Sequence, residues 1–178
     1  MQRVTRRLWV VAALSVFAVS CRETPRSSRR ELFQPLYRAA RAVDGAIAAG
    51  VSYADLGSLV RQLSTELLIA GDSATSDDDK KLVAAYGELL ATYKDSLTVW
   101  KHQIDSGKYE WLHGQIPVDP EVAPLVQKYN LPTTDAGTSA EPFRVASASS
   151  LQVVWGAASV KSREAVSLYL SADSPANK

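Results

Sequence analysis

Residues 76–105 read SDDDKKLVAAYGELLATYKDSLTVWKHQID, and the fold follows from how this stretch is read. Val83, Tyr86, Leu90, Tyr93, Leu97, Trp100 and Ile104 recur at spacings of three and four. That rhythm holds an apolar seam on one side of a helix, as in the core of a bundle. At 1.5 Å per residue, one helix over this span is about 45 Å long, enough for shorter helices to pack along it. Ser76 supplies an N-cap, and Asp77, Asp78 and Asp79 set negative charge against the positive end of the helix dipole. The acidic triplet lacks the alternating oxygens, central glycine and closing glutamate of a calcium loop, so helix-start electrostatics account for it. Gly107 ends the helix.

On either side of this element the apolar rhythm repeats. Phe33, Leu36, Ala40, Val43 and Ile47 predict a first helix over about 30–49, with Pro35 in its opening turn and Gly50 as its stop. Ser52, with Asp55 three residues on, predicts an acidic variant of the capping box for a second helix. Its seam is Leu56, Val60, Leu63 and Leu67, and Gly71 is its expected C-cap. Helices joined by two or three residues lie antiparallel and adjacent. A last helix is expected over about 149–170, with Leu151, Val154, Ala158, Ala165 and Leu168 inward and Lys161 interrupting the rhythm. Between the third and fourth main helices, residues 108–147 carry Pro117, Pro120, Pro124, Pro132 and Pro142 and read as a long irregular connection. Within it, Asp119-Pro120-Glu121 is the expected start of a short helix carrying Leu125, Val126 and Tyr129, with a later start at Pro124 as the alternative, while residues 133–140 read as small, polar and mobile. The expectation is an all-α fold, an antiparallel four-helix bundle. Tetratricopeptide-like stacking is the competing architecture, but the long helix is twice the length of such a repeat's and no 34-residue self-similarity is present.

Composition narrows the classes of function. The chain has 178 residues, 46% hydrophobic and 22% charged, enough to bury one core without disulfides or metals. Cys21 is the single cysteine, so no intrachain disulfide can form. Positive charge gathers in the first 30 residues, and residues 31–178 are net acidic. A body of that sign has little reason to seek nucleic-acid phosphates.

The first 30 residues read as an address. Arg3, Arg6 and Arg7 precede an apolar run from Leu8 to Val19, broken only by Ser15, which has the parts of a secretory signal over residues 1–20. The run is short for a transmembrane span, which needs about 20 apolar residues. Ala18-Val19-Ser20-Cys21 resembles the lipobox of bacterial lipoproteins, although that family more often begins the motif with leucine. The resemblance implies cleavage after Ser20, a diacylglycerol on the Cys21 sulfur, and acylation of the new amino terminus. It thus implies a partner, the lipid bilayer, and a place, the bacterial cell envelope, facing the periplasm or the exterior at either membrane. Two or three acyl chains anchor firmly where one binds marginally. An ordinary cleaved signal with an incidental cysteine, or an uncleaved anchor, is the alternative. Thr5-Arg6-Arg7-Leu8-Trp9-Val10 also resembles a twin-arginine export motif, with tryptophan where that family usually has phenylalanine, so both export routes stay open. Residues 21–30 continue as a basic, solvated tether, residues 31–172 form the helical domain, and 173–178 are a disordered tail.

Chemistry is sparse. No serine sits in a Gly-x-Ser-x-Gly elbow, and no glycine-rich phosphate loop or haem-attachment motif occurs. His102, Asp105, Glu110 and His113 could be drawn together on paper as a zinc site, but their spacing matches no helical metal motif. No metal, cofactor or catalytic residue is assigned, and an enzyme is the third-ranked reading. Tyr86, Tyr93 and Trp100 fall seven residues apart and form an aromatic ladder. Buried tyrosines must find partners for their hydroxyls, which makes them costly as filler. They could line an inter-helix groove, lidded by Trp111 and the 108–131 segment, for a small apolar or aromatic ligand. The plainer account packs the rings in the core. The sequence reads best as an envelope lipoprotein whose helical domain binds another envelope protein or serves as a scaffold.

Overall fold

A computed structural model describes residues 28–171. The expected signal segment, Cys21, most of the tether and the tail 173–178 lie outside the described residues. Five helices dominate: α1 (Arg29–Ala49), α2 (Tyr53–Ser73), α3 (Asp77–Ser106), a short α4 (Ala123–Tyr129) and α5 (Ser150–Ser171). The chain is mostly helical, as its periodicity predicts.

Local chemistry sets most helix ends. Ser28 Oγ accepts from the Glu31 N–H at 3.2 Å while Glu31 Oε2 accepts from the Ser28 N–H at 2.9 Å, a complete capping box. Arg29 and Arg30 therefore belong to α1 and not to a solvated tether. The box escapes a reading that looks only for the first apolar residue. Gly50 closes α1 in the left-handed region at φ 84°. At Ser52 the reciprocal half of the box differs from expectation, because the hydroxyl accepts from the Asp55 N–H and donates to the Asp55 carboxylate at 2.7 Å. Gly71 does not cap α2. The helix continues to Ser73 and ends at Ala74, since Ala70 is still packed in the core beyond Leu67. Ser76 and Asp79 complete a second capping box, at the start of α3.

α2 packs against both α1 and α3, α3 packs against α5, and α1 also touches α5. The shared core holds Phe33, Leu36, Val43, Leu56, Leu63, Leu82, Tyr86, Leu89 and Tyr93. Fully burying a side chain of this size stabilises by about 1.5–3 kcal/mol. The seam of α3 differs from the expected one at its ends. Val83, Leu90, Leu97 and Ile104 are a strict heptad apart, and a seven-residue repeat drifts about 20° per heptad around a straight helix. Leu90 is accordingly buried, Val83 and Leu97 are half-buried, and Ile104 is 47% exposed. Leu82, Leu89 and Ser96, one position earlier in each heptad, are buried beside that seam, and Val99 is buried near its end.

α3 has 30 residues against 21 for α1 and α2, so its last turns run past the helices that flank its first half. A second core covers that overhang: Val99 with Ile116, Val122, Leu125, Leu131, Ala146, Leu151 and Val154. Much of it comes from the stretch expected to be irregular. That stretch holds α4 and a three-stranded antiparallel sheet, β1 (Ile116–Pro117), β2 (Thr133–Gly137) and β3 (Pro142–Ala146), in the order β1-β3-β2. The helical class stands with this small sheet added to it, and Thr133–Gly137, expected to be mobile, is a strand. Thr133 to Gly137 pair with Ala146 to Pro142 as a hairpin. Backbone hydrogen bonds to β3, and not side-chain burial, order β2, which is why its polar composition concealed it.

Candidate functional site

The aromatic ladder divides into three environments. Tyr86 and Tyr93 are fully buried in the helical core. Trp100 is half-buried, edge-on to Tyr53 of α2 at 5.8 Å and to Trp155 of α5 at 5.6 Å. Trp111 stands 61% exposed on a 3-10 turn after α3, 6.4 Å from the Tyr109 ring and 5.7 Å from Phe143 of β3. The four residues do not line one groove. Neighbouring helices enclose Tyr86, Tyr93 meets only the inner edge of a cleft on the α1–α5 side, and the 108–131 segment packs on the end of α3 instead of closing over them. The proposed lid is corrected with the groove.

What the ladder reaches instead is a carboxylate that the sequence reading passed over. Asp44 projects from the inner side of α1, one position beyond Val43. Its Oδ1 accepts from the Tyr93 hydroxyl of α3, and its Oδ2 accepts from Ser162 Oγ of α5 at 2.5 Å and faces Arg41 Nη1 at 3.5 Å. One acid thus joins three helices. Burial pushes the Tyr93 phenol far up, and its hydrogen bond to Asp44 adds to the shift, so the proton stays on tyrosine. Two signals could have found this site. A lone acid interrupts the small-residue run 39–49 of α1, and the inward rhythm of α5 passes through Ser162, not through Lys161. Lys161 lies outside that rhythm and pairs with Glu88 of α3 at 2.9 Å.

Asp44, Tyr93 and Ser162 border a cleft of about 360 Å³ between α1 and α5, with Ile47, Trp155 and Ala158 as apolar walls and Arg41 and Arg163 beside it. A different fate meets Tyr86. Its hydroxyl is buried without a hydrogen-bond partner among the described residues. Burial, then the neighbouring Tyr37, Tyr169 and Asp44, drive its phenol pKa upward.

The histidines separate. His102 faces Asp119 Oδ2 at 3.3 Å through Nδ1 and Glu121 Oε2 at 3.0 Å through Nε2, tying α3 to the turn before α4. Asp119 also accepts from the N–H groups of Glu121 and Val122, both at 2.9 Å. His113 caps the 3-10 turn in the left-handed region at φ 47°, and Asp105 pairs with Lys108 at 2.9 Å. His102, Asp105, Glu110 and His113 do not converge. Among the described residues no group of three His, Cys, Asp or Glu side chains is placed to hold a metal ion, and no helix there is long and apolar enough to cross a membrane. No family model, curated protein or solved structure matches this chain.

Proposed function

We propose that this chain is a membrane-anchored envelope lipoprotein whose domain, an antiparallel four-helix bundle of α1, α2, α3 and α5, is a non-enzymatic adaptor for another envelope protein. The bundle reading rests on the closed circuit of helix contacts, which an open stack of helix pairs does not make. Anchoring rests on Ser20-Cys21 and the apolar run before them.

The observation that carries the adaptor reading is the position of Trp111. Arg29, at the start of α1, pairs with Asp79 at the start of α3 at 2.6 Å, so the chain enters the domain at the end where α3 begins. Trp111 follows the other end of α3, about 45 Å away. An exposed tryptophan flanked by Tyr109 and Phe143 is the side-chain chemistry that dominates protein interfaces. Held at the far end from the anchor, it meets proteins and not the bilayer. Asp44, the acid drawn toward the α1–α5 cleft, has its oxygens engaged by Tyr93, Ser162 and Arg41, a structural arrangement and not a reactive one.

The test is in-cell photocrosslinking with the full chain, replacing Trp111 by a benzophenone amino acid and using Lys80 as the control position. A discrete protein adduct at 111 and none at 80 is the expected result; equal smears from both positions would remove the adaptor. In the same cells Cys21→Ser should leave the membrane fraction, and undiminished retention would contradict the lipid anchor.

A further inference from the structure

The seam between α1 and α5 carries chemistry beyond the adaptor role. Two adjoining hollows, about 360 and about 570 Å³, share Arg41, Ser162 and Arg163, so they form one groove with a cationic waist. On one side of the waist lie Ile47 and Trp155; on the other lie Val166 and Leu170, the last 51% exposed. The second, larger lobe opens toward the end of α5, where Arg30 at the start of α1 donates to the Leu170 carbonyl. That is also the end at which the chain enters the domain.

Asp44 is the one carboxylate at the waist and stands against two guanidinium groups, so one positive charge is left over. Among the described residues, Arg41 reaches Asp44 through one nitrogen at 3.5 Å, and Arg163 meets the neutral Ser159 Oγ at 2.9 Å and no carboxylate. The unused hydrogen-bonding capacity of the groove is therefore donor capacity, and its complement is an acceptor carrying one negative charge. Apolar walls beside that point favour an apolar chain attached to it.

We infer that the α1–α5 groove binds a single-chain, singly charged anionic amphiphile, its head between Arg41 and Arg163 and its chain along Val166 and Leu170. A long-chain carboxylate and a lysophospholipid with a phosphodiester head both have this chemistry. A ligand of this kind enters from the bilayer side, where the larger lobe opens. The groove and the Trp111 surface lie on different parts of the domain, so either can fail alone.

The experiment uses the full chain in nanodiscs of zwitterionic phospholipid. These are doped in turn with hexadecanoic acid, a monoanionic lysophospholipid and hexadecanol, each carrying a diazirine in the chain. After irradiation, labelled peptides are mapped by mass spectrometry. At least one of the two anions should label residues 41–48 and 155–171 at least tenfold more than the alcohol, and which of them does so identifies the source. Arg163→Gln, whose side chain has no ionic partner among the described residues to lose, should cut that labelling at least fivefold with the circular dichroism melt unchanged. Trp111→Ala should leave it as it was. Equal labelling by acid, lysophospholipid and alcohol, labels scattered over the other helices, or indifference to Arg163→Gln would each overturn the assignment.

Discussion

At the scale of single residues, two buried tyrosines seven positions apart have opposite energetics. The Tyr93 hydroxyl donates to Asp44, a charge-assisted hydrogen bond, whereas the Tyr86 hydroxyl has no partner among the described residues. Removing one half of a buried pair costs about 1–3 kcal/mol, because the group left behind stays desolvated. Removing an unsatisfied hydroxyl with its ring retained relieves that kind of cost. Tyr93→Phe should therefore destabilise by about 1–2 kcal/mol, and Tyr86→Phe should be neutral or stabilise by up to about 1 kcal/mol. Denaturant unfolding of the two variants beside the wild type decides it, and equal losses at both positions would refute the assigned roles. Both tyrosines were legible as core from their spacing. Their difference was not, because it depends on a carboxylate 49 positions away in the chain.

At the scale of elements, two glycines separate conformational entropy from steric need. Gly156 lies within α5 with nothing within 4 Å of where a Cβ would sit. Gly156→Ala should stabilise by about 0.5–1 kcal/mol, since alanine is the better helix former and meets no obstacle. Gly137 ends β2 at φ 90°, and a Cβ there would lie 2.3 Å from the Glu141 carbonyl oxygen and 2.7 Å from the Phe143 ring. Gly137→Ala should destabilise by at least about 1 kcal/mol. Because Phe143 supports Trp111, it should also shift the tryptophan emission. A Gly137→Ala protein with wild-type melting and fluorescence would show that the hairpin is not closed in this way. Helices α1, α2, α3 and α5 were readable because each carries its own apolar stripe, and Ser52 and Ser76 mark the starts of α2 and α3. The sheet was not, because β2 owes its conformation to its partner strand.

At the scale of the whole molecule, the start of α1 is bound to the start of α3 by Arg29 and Asp79. Burial pushes the Asp79 carboxyl up. Hydrogen bonds from the Ser76 backbone and hydroxyl, from Arg29 and from the Thr75 N–H outweigh it and hold the pKa at about 2, below the ordinary 3.8. A folded-state pKa below the unfolded one means stability that is fully present above about pH 4 and is lost as pH falls toward 2. The shift corresponds to about 2 kcal/mol at neutral pH. The stability gap between wild type and Asp79→Asn should be of this order at pH 7 and fall below half of it at pH 2.5. A gap that does not change with pH would mean that Ser76, Arg29 and Thr75 together do not favour the Asp79 carboxylate in the folded state. The Arg29–Asp79 contact also fixes the end at which the chain enters the domain, so it bears on the proposed adaptor and the proposed groove alike.

The sequence by itself determined the four long helices, the starts of α2 and α3 and most of the inward residues, because capping and amphipathic periodicity are local properties of the chain. It also carried the whole case for a lipid anchor, through Ser20 and Cys21. Only the tertiary structure decided what the polar and aromatic residues do. It brought Asp44 to Tyr93 and Ser162, set His102 beside Asp119 and Glu121, left Trp111 in solvent and opened a donor-rich groove between α1 and α5. Each of these depends on which helix faces which, and a side chain's own position in the chain does not encode who its neighbours are across a seam.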